Sequence, residues 1–167
     1  SRLRGVLSER LAAGGIESAP DIIDAAQEAG ASDLADLDAR TRSLAAMRAG
    51  DISGFEQLAA TFKRVGNILA KARADGATTE LDGDWPAALT EGAEKALLEQ
   101  VNKAREQTNA ALAGDADYDR VLKVVSELKP AVDRFFDDVM VMVDDAALRQ
   151  ARLNLLATIE GMLLSVA

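Results

Sequence analysis

Histidine and cysteine are both absent from the 167 residues. With them go the side chains that most often move protons near neutral pH, attack as thiolates or hold zinc. No disulfide can form either. Catalysis would have to rest on carboxylates, lysines, hydroxyls and a single tyrosine, so composition disfavours an enzyme. Aromatics are 4% of the chain and prolines number three. A sheet would want more Val, Ile and aromatic side chains. No apolar run reaches the roughly 18 residues of a membrane span, so no transmembrane helix is expected. The opening Ser1-Arg2-Leu3-Arg4 lacks an initiator methionine and already follows an amphipathic pattern. It reads as the edge of a piece cut from a larger cytoplasmic protein.

What is present is alanine and leucine within a 49% hydrophobic composition, which suits closely packed helices. The expected fold is all-α. Leu3, Val6, Leu7 and Leu11 recur at helical spacing before Gly14-Gly15. Pro20 opens a short segment that runs to about Ala29, with Asp21 and Asp24 at its positive end. Ser32 is the expected cap of a helix from Asp33 to Ala49. A longer helix from Ser53 to about Ala74 carries Phe55, Leu58, Phe62, Val65, Leu69 and Ala72 on one stripe. Asp75 to Leu89 is irregular, and Trp85 is expected to pin it to the core. Thr90 and Asp117 are the expected caps of two further helices, Pro130 breaks the second of them, and Asp145 starts the last. This sums to a bundle of about seven helices without an internal repeat. The organisation expected is an N-terminal helical part, 1–50, packed on a bundle, 51–167, within one continuous piece. Val139-Met140-Val141-Met142-Val143 looks like a strand without a partner, and is read as a connector buried on both sides.

Net charge is −9, which on average opposes nucleic acid. The distribution argues otherwise. Between Arg40 and Arg73 stand Arg40, Arg42, Arg48, Lys63, Arg64, Lys71 and Arg73 against Asp51 and Glu56, a net of +5 in an otherwise acidic chain. Arg64, Asn67 and Lys71 share a helical stripe and Lys63 adjoins Asn67. Cations meet phosphates, and an amide among them can read a base edge. From spacing alone, the same residues also fit a solvated face that keeps the bundle soluble.

Other candidates have plainer explanations. Phe135 and Phe136 cannot face the same way on a helix, and an exposed ring would stack on an unpaired base. Packing of both in the core is the simpler account, since aromatics are scarce. Arg152 lies between Leu148 and Leu155, near the apolar stripe, and calls for a carboxylate partner, with Asp133 or Asp137 in reach. Arg149 points further out and suits a phosphate. Asp82-Gly83-Asp84 lacks the downstream ligands of a calcium loop. No glycine-rich phosphate loop is present, so neither a cofactor nor ATP is expected.

Two segments give a family resemblance. Asp145-Ala146-Ala147-Leu148-Arg149-Gln150-Ala151-Arg152-Leu153 resembles the Asp-x-Ala-Leu-Arg-x-x-Arg-Leu series of the helical anticodon-binding domain found in arginyl-, cysteinyl- and bacterial glycyl-tRNA synthetases. Lys63-Arg64-Val65-Gly66-Asn67-Ile68-Leu69 is similar to a Lys-Arg-x-x-Asn-Ile segment of the glycyl beta-subunit family. The likeness extends from Lys129-Pro130-Ala131-Val132-Asp133 to Leu156, and more weakly to Arg2-Leu3-Arg4-Gly5-Val6-Leu7. It implies a non-catalytic, cytoplasmic anticodon-recognition domain that supports glycyl-tRNA formation. Its implied partners are glycine-specific tRNA and an alpha subunit within a heterotetramer, with neither membrane nor DNA. Catalysis in that family resides on the alpha subunit. The residues expected to touch RNA are Arg40, Arg42, Arg48, Lys63, Arg64, Asn67, Lys71 and Arg149. A different class of function also fits, a helical docking module that joins subunits or domains without touching RNA.

Overall fold

The computed structural model describes residues 34–50, 52–79 and 83–165. The expected helices before Ser32, and the Ser32 cap, lie outside the described residues. Those described form α1 (Leu34–Gly50), α2 (Ile52–Ala74), a single 3-10 turn (Trp85–Ala88), α3 (Gly92–Leu112), α4 (Tyr118–Glu127), α5 (Lys129–Asp138) and α6 (Ala146–Leu164). No strand occurs among the described residues. α4 and α5 meet at Leu128 as two arms of one bent rod, so the described residues form five helical rods, against about seven helices expected over the whole chain. The bend has a simple cause. Pro130 lies in the first turn of α5, where its missing N–H costs no intrahelical bond but prevents α4 from running through.

The α2 stripe is buried as its spacing predicts at Leu58, Phe62, Val65, Leu69 and Ala72, while Phe55 at its start is only half-buried. At about 1.5–3 kcal/mol for each large side chain, this stripe is what makes a 23-residue helix stable in this position. α2 ends in a Schellman cap. The Ala77 N–H donates to Ala72 O at 2.9 Å and the Gly76 N–H to Arg73 O at 3.1 Å. Gly76 takes φ +90° there, a backbone shape that costs other residues strain.

α6 is the axis of the bundle. Every residue from Ala151 to Ile159 is buried, so the helix is enclosed on all sides rather than along one stripe. It packs against α2, α3, α4 and the 3-10 turn. Two of its buried polar groups are satisfied within the helix: Thr158 donates to Asn154 O at 2.9 Å and Gln150 to Asn154 Oδ1 at 3.0 Å. Leu37 and Leu44 of α1 join the same core, and α1 packs on both α2 and α4.

One cap is as expected, and of the pair Asp144-Asp145 it is Asp145 that caps the last helix. Asp117 accepts from the Arg120 N–H and Asp145 from the Leu148 N–H, each at 3.0 Å. A third is not. The cap of α3 is Glu91 rather than Thr90, because Glu94 reaches back and accepts from the N–H groups of both Thr90 and Glu91 at 2.8 Å. The connector between α5 and α6 also differs from expectation. Val139 and Val141 are buried, but Met140 is 72% and Met142 49% exposed. The segment leaves α5 extended at Val139 and bends at Val141-Met142, the Val143 N–H donating to Val141 O at 3.2 Å, and along it buried and exposed side chains alternate.

Candidate nucleic-acid interface

The start of α6 acts as a clamp. Asp145 caps the helix, and Arg149, one turn in, donates to Val143 O at 2.8 Å. Arg152 follows one turn later and donates to Met140 O while its Nε donates to Glu94. Two arginines three apart therefore tie the α5–α6 connector to the helix through its carbonyls. Arg152 is 4% exposed and Glu94 fully buried. Glu94 spends one oxygen on Arg152 and the other on the N-terminus of α3, so the ion pair is hydrogen-bonded on both sides.

The expected partners of Arg152, Asp133 and Asp137, are not the ones it takes. Asp133 is occupied by Thr61 at 3.1 Å and by Lys129, and Asp137 faces outward. Sequence reasoning missed Glu94. The signal available was Glu91 followed three residues later by Glu94, the spacing of a reciprocal helix cap. Arg149 is half-buried and braces the connector, so it offers a phosphate only the guanidinium donors left over from Val143.

The seven cations of the basic window separate into two groups. Arg40 of α1 pairs with Asp36 at 3.1 Å and lies 5.1 Å from the Tyr118 ring centroid, in the contact between α1 and α4. Tyr118 itself donates to Asp36. Burial raises the Tyr118 phenol above its ordinary value of 10.0, and the bond to Asp36 adds to the rise, while Arg40 pulls the other way. Arg42 pairs with Asp38 at 2.9 Å, and Arg73 of α2 with Glu160 of α6 at 3.0 Å. These side chains do not converge with the remaining α2 cations into one free patch. Arg48 is half-buried and has an interaction of its own.

On α2 the picture is different. Lys63, Arg64, Asn67 and Lys71 are all exposed on the side opposite the buried stripe. The side chains of Lys63, Asn67 and Lys71 have no hydrogen-bond or ion-pair partner among the described residues. Arg64 lays its guanidinium 4.1 Å from the centroid of Phe136. Phe135 is fully buried and Phe136 is half-buried, their rings meeting edge to face at 5.6 Å. Both rings thus pack, and the outer one also carries a cation. Beside it runs a groove of about 560 Å3, lined by Arg64, Ile68, Phe136, Asp137, Met140 and Met142 among others. Polar donors, a ring and a groove without a buried acid or base suit binding rather than bond-making.

A family model described as "DALR anticodon binding domain" matches residues 58–165. The chain is 39% identical over 166 residues to a glycine--tRNA ligase beta subunit of Anaeromyxobacter dehalogenans, covering 99% of this chain and 22% of that protein. It is 44% identical over 149 residues to the beta subunits of Actinobacillus pleuropneumoniae and Haemophilus influenzae, covering 89% of this chain and 20% of each. The chain therefore spans about a fifth of the length of these relatives. The matched region runs from the first buried leucine of α2 through the Arg149–Arg152 clamp to the end of α6, and with it the chain belongs to the DALR anticodon-binding domain family.

Proposed function

We propose that this chain is the anticodon-recognition domain of a glycine–tRNA ligase beta subunit. It binds glycine-specific tRNA and performs no step of aminoacylation itself. The outer face of α2 is its RNA contact, with Lys63, Arg64 and Lys71 meeting phosphates and Asn67 set among them for a base edge. Arg40, Arg42, Arg48 and Arg149 contribute less, since Arg40 and Arg42 are held by carboxylates and Arg149 by a carbonyl. The alpha subunit, in a cytoplasmic heterotetramer, supplies the site for glycine and ATP. One observation carries the reading of the surface: Lys63, Arg64 and Lys71 of α2 have no carboxylate partner among the described residues, in a protein of net charge −9. An acidic chain that leaves positive groups unpaired on one face keeps them available to an anion.

The test is a titration of glycine tRNA against Lys63→Glu/Lys71→Glu. Each lost phosphate contact removes about 0.7 decade of affinity at 0.1 M salt, so the pair should weaken binding roughly 25-fold and flatten the salt dependence. Unchanged affinity and slope would remove this face from the interface. A docking module is the second reading, and the exposure of Met140 and Met142 favours it. Met140→Ser/Met142→Ser should then abolish capture of the alpha subunit without altering tRNA affinity.

A further inference from the structure

α5 has a second side that the α2 face does not use. Asp133 and Phe136 meet Thr61 and Arg64 of α2, whereas Pro130, Ala131 and Arg134 line a cleft of about 370 Å3 against α3. A helix carries these two sets on different sides, so the cleft is separate from the α2 cations. Ala93 and Leu97 of α3 line it and are buried, while Ala96 and Ala131 are small side chains that still reach solvent. Three charged residues belong to the same lining: Glu99, Glu127 and Arg134. Arg134 is taken by Asp138 at 3.3 Å, and neither glutamate has a partner among the described residues. Lys95, Lys103 and Lys123, each four residues from one of these glutamates, do not line the cleft, and Lys129 is held by Asp133. The cleft therefore combines an apolar hollow with two uncommitted negative charges.

We propose that the α3–α5 cleft docks a basic, aliphatic segment of a protein. An aliphatic side chain of that segment enters beside Leu97 and the alanines, and lysines or arginines flanking it reach Glu99 and Glu127. Charge decides the class of occupant. Two glutamates repel phosphate, so the cleft does not extend the RNA surface. They accept hydrogen bonds from ammonium and guanidinium donors, which an apolar anchor brings into register. The relatives carry about four fifths of their length outside the region this chain matches, so a domain of this kind has other polypeptide beside it. A contact on this side of α5 leaves Lys63, Asn67 and Lys71 free, and RNA and the docked segment can be held together.

The experiment measures the anisotropy of a labelled amphipathic peptide of leucine and lysine with the 167-residue chain, glycine tRNA being titrated in parallel. Glu99→Gln/Glu127→Gln should weaken the peptide about fivefold, as expected for the loss of two surface ion pairs. Asp115→Asn/Asp119→Asn removes the same charge outside the cleft and should change it less than about twofold. Ala96→Leu/Ala131→Leu fills the hollow and should weaken the peptide about tenfold, the effect of excluding one aliphatic side chain, with tRNA affinity kept. Equal losses from the two charge pairs would mean diffuse attraction to an acidic chain and overturn the proposal. So would a filled cleft that binds the peptide as before. Should the filled variant lose tRNA as well, the two charge pairs decide alone. A dimer of the chain dissolved by filling the cleft would assign it to a second copy and equally overturn the proposal.

Discussion

Two neighbouring helices carry most of the chain's clustered positive charge and use it in opposite ways. On α1, Arg40 and Arg42 each have an aspartate four residues earlier, Asp36 and Asp38, and both pairs form. On α2, neither Lys63, Arg64 nor Lys71 has a carboxylate three or four residues before it. Helical neighbours at that spacing meet without any tertiary help, so the fate of these charges was written locally. A charge count taken over a window says little about a surface unless it is divided by helical register. Extending the basic window back to Asp36 would have shown the α1 arginines already matched.

The largest effect belongs to a third kind of cation, the buried one. Arg152→Leu strands Glu94 inside the core and should cost about 3–5 kcal/mol in chemical denaturation. Adding Glu94→Gln should recover part of that by removing the orphaned charge. A loss below about 1 kcal/mol would mean that the clamp does not hold the connector. Next in size is the contrast between the helices. Lys63→Glu should weaken tRNA binding about fivefold at 0.1 M salt, while Arg42→Glu should change it less than twofold. Equal losses would mean that α1 and α2 present their cations to RNA alike.

Asp38→Asn offers a gain instead. It releases Arg42 from a surface pair worth at most about 1 kcal/mol to stability, and tRNA affinity should rise by up to about fivefold. No gain would show that Arg42 lies away from the RNA path. The smallest effect concerns pH. The Tyr118 phenol is raised in the folded state, so its contribution to stability is complete below about pH 10 and is lost as pH climbs through the raised value. Urea midpoints at pH 8 and pH 10.5 should therefore fall more for the parent chain than for Tyr118→Phe. An identical fall would separate Tyr118 from the α1–α4 contact.

Much of the fold was readable because its causes are local. The α2 stripe, the Asp117 and Asp145 caps and the Pro130 break each depend on spacing within a few residues. The α5–α6 connector was misread because a run of five apolar residues does not tell which side is covered. Its alternation became visible only once Arg149 and Arg152 held it against α6 by the carbonyls of Val143 and Met140. Phe135 and Phe136 show the same limit. Their opposed directions follow from helix geometry, but which ring stays at the surface depends on where α2 lies.

Helical character, caps, register and the pairing of the α1 arginines follow from interactions that span one turn, and these are present in any chain with this order of residues. The partner of Arg152, the enclosure of α6 and the groove between Arg64 and Phe136 join residues 58 to 72 positions apart or depend on surfaces from several helices. Such contacts exist only after packing has selected one arrangement of rods. Local spacing restricts those arrangements without choosing among them.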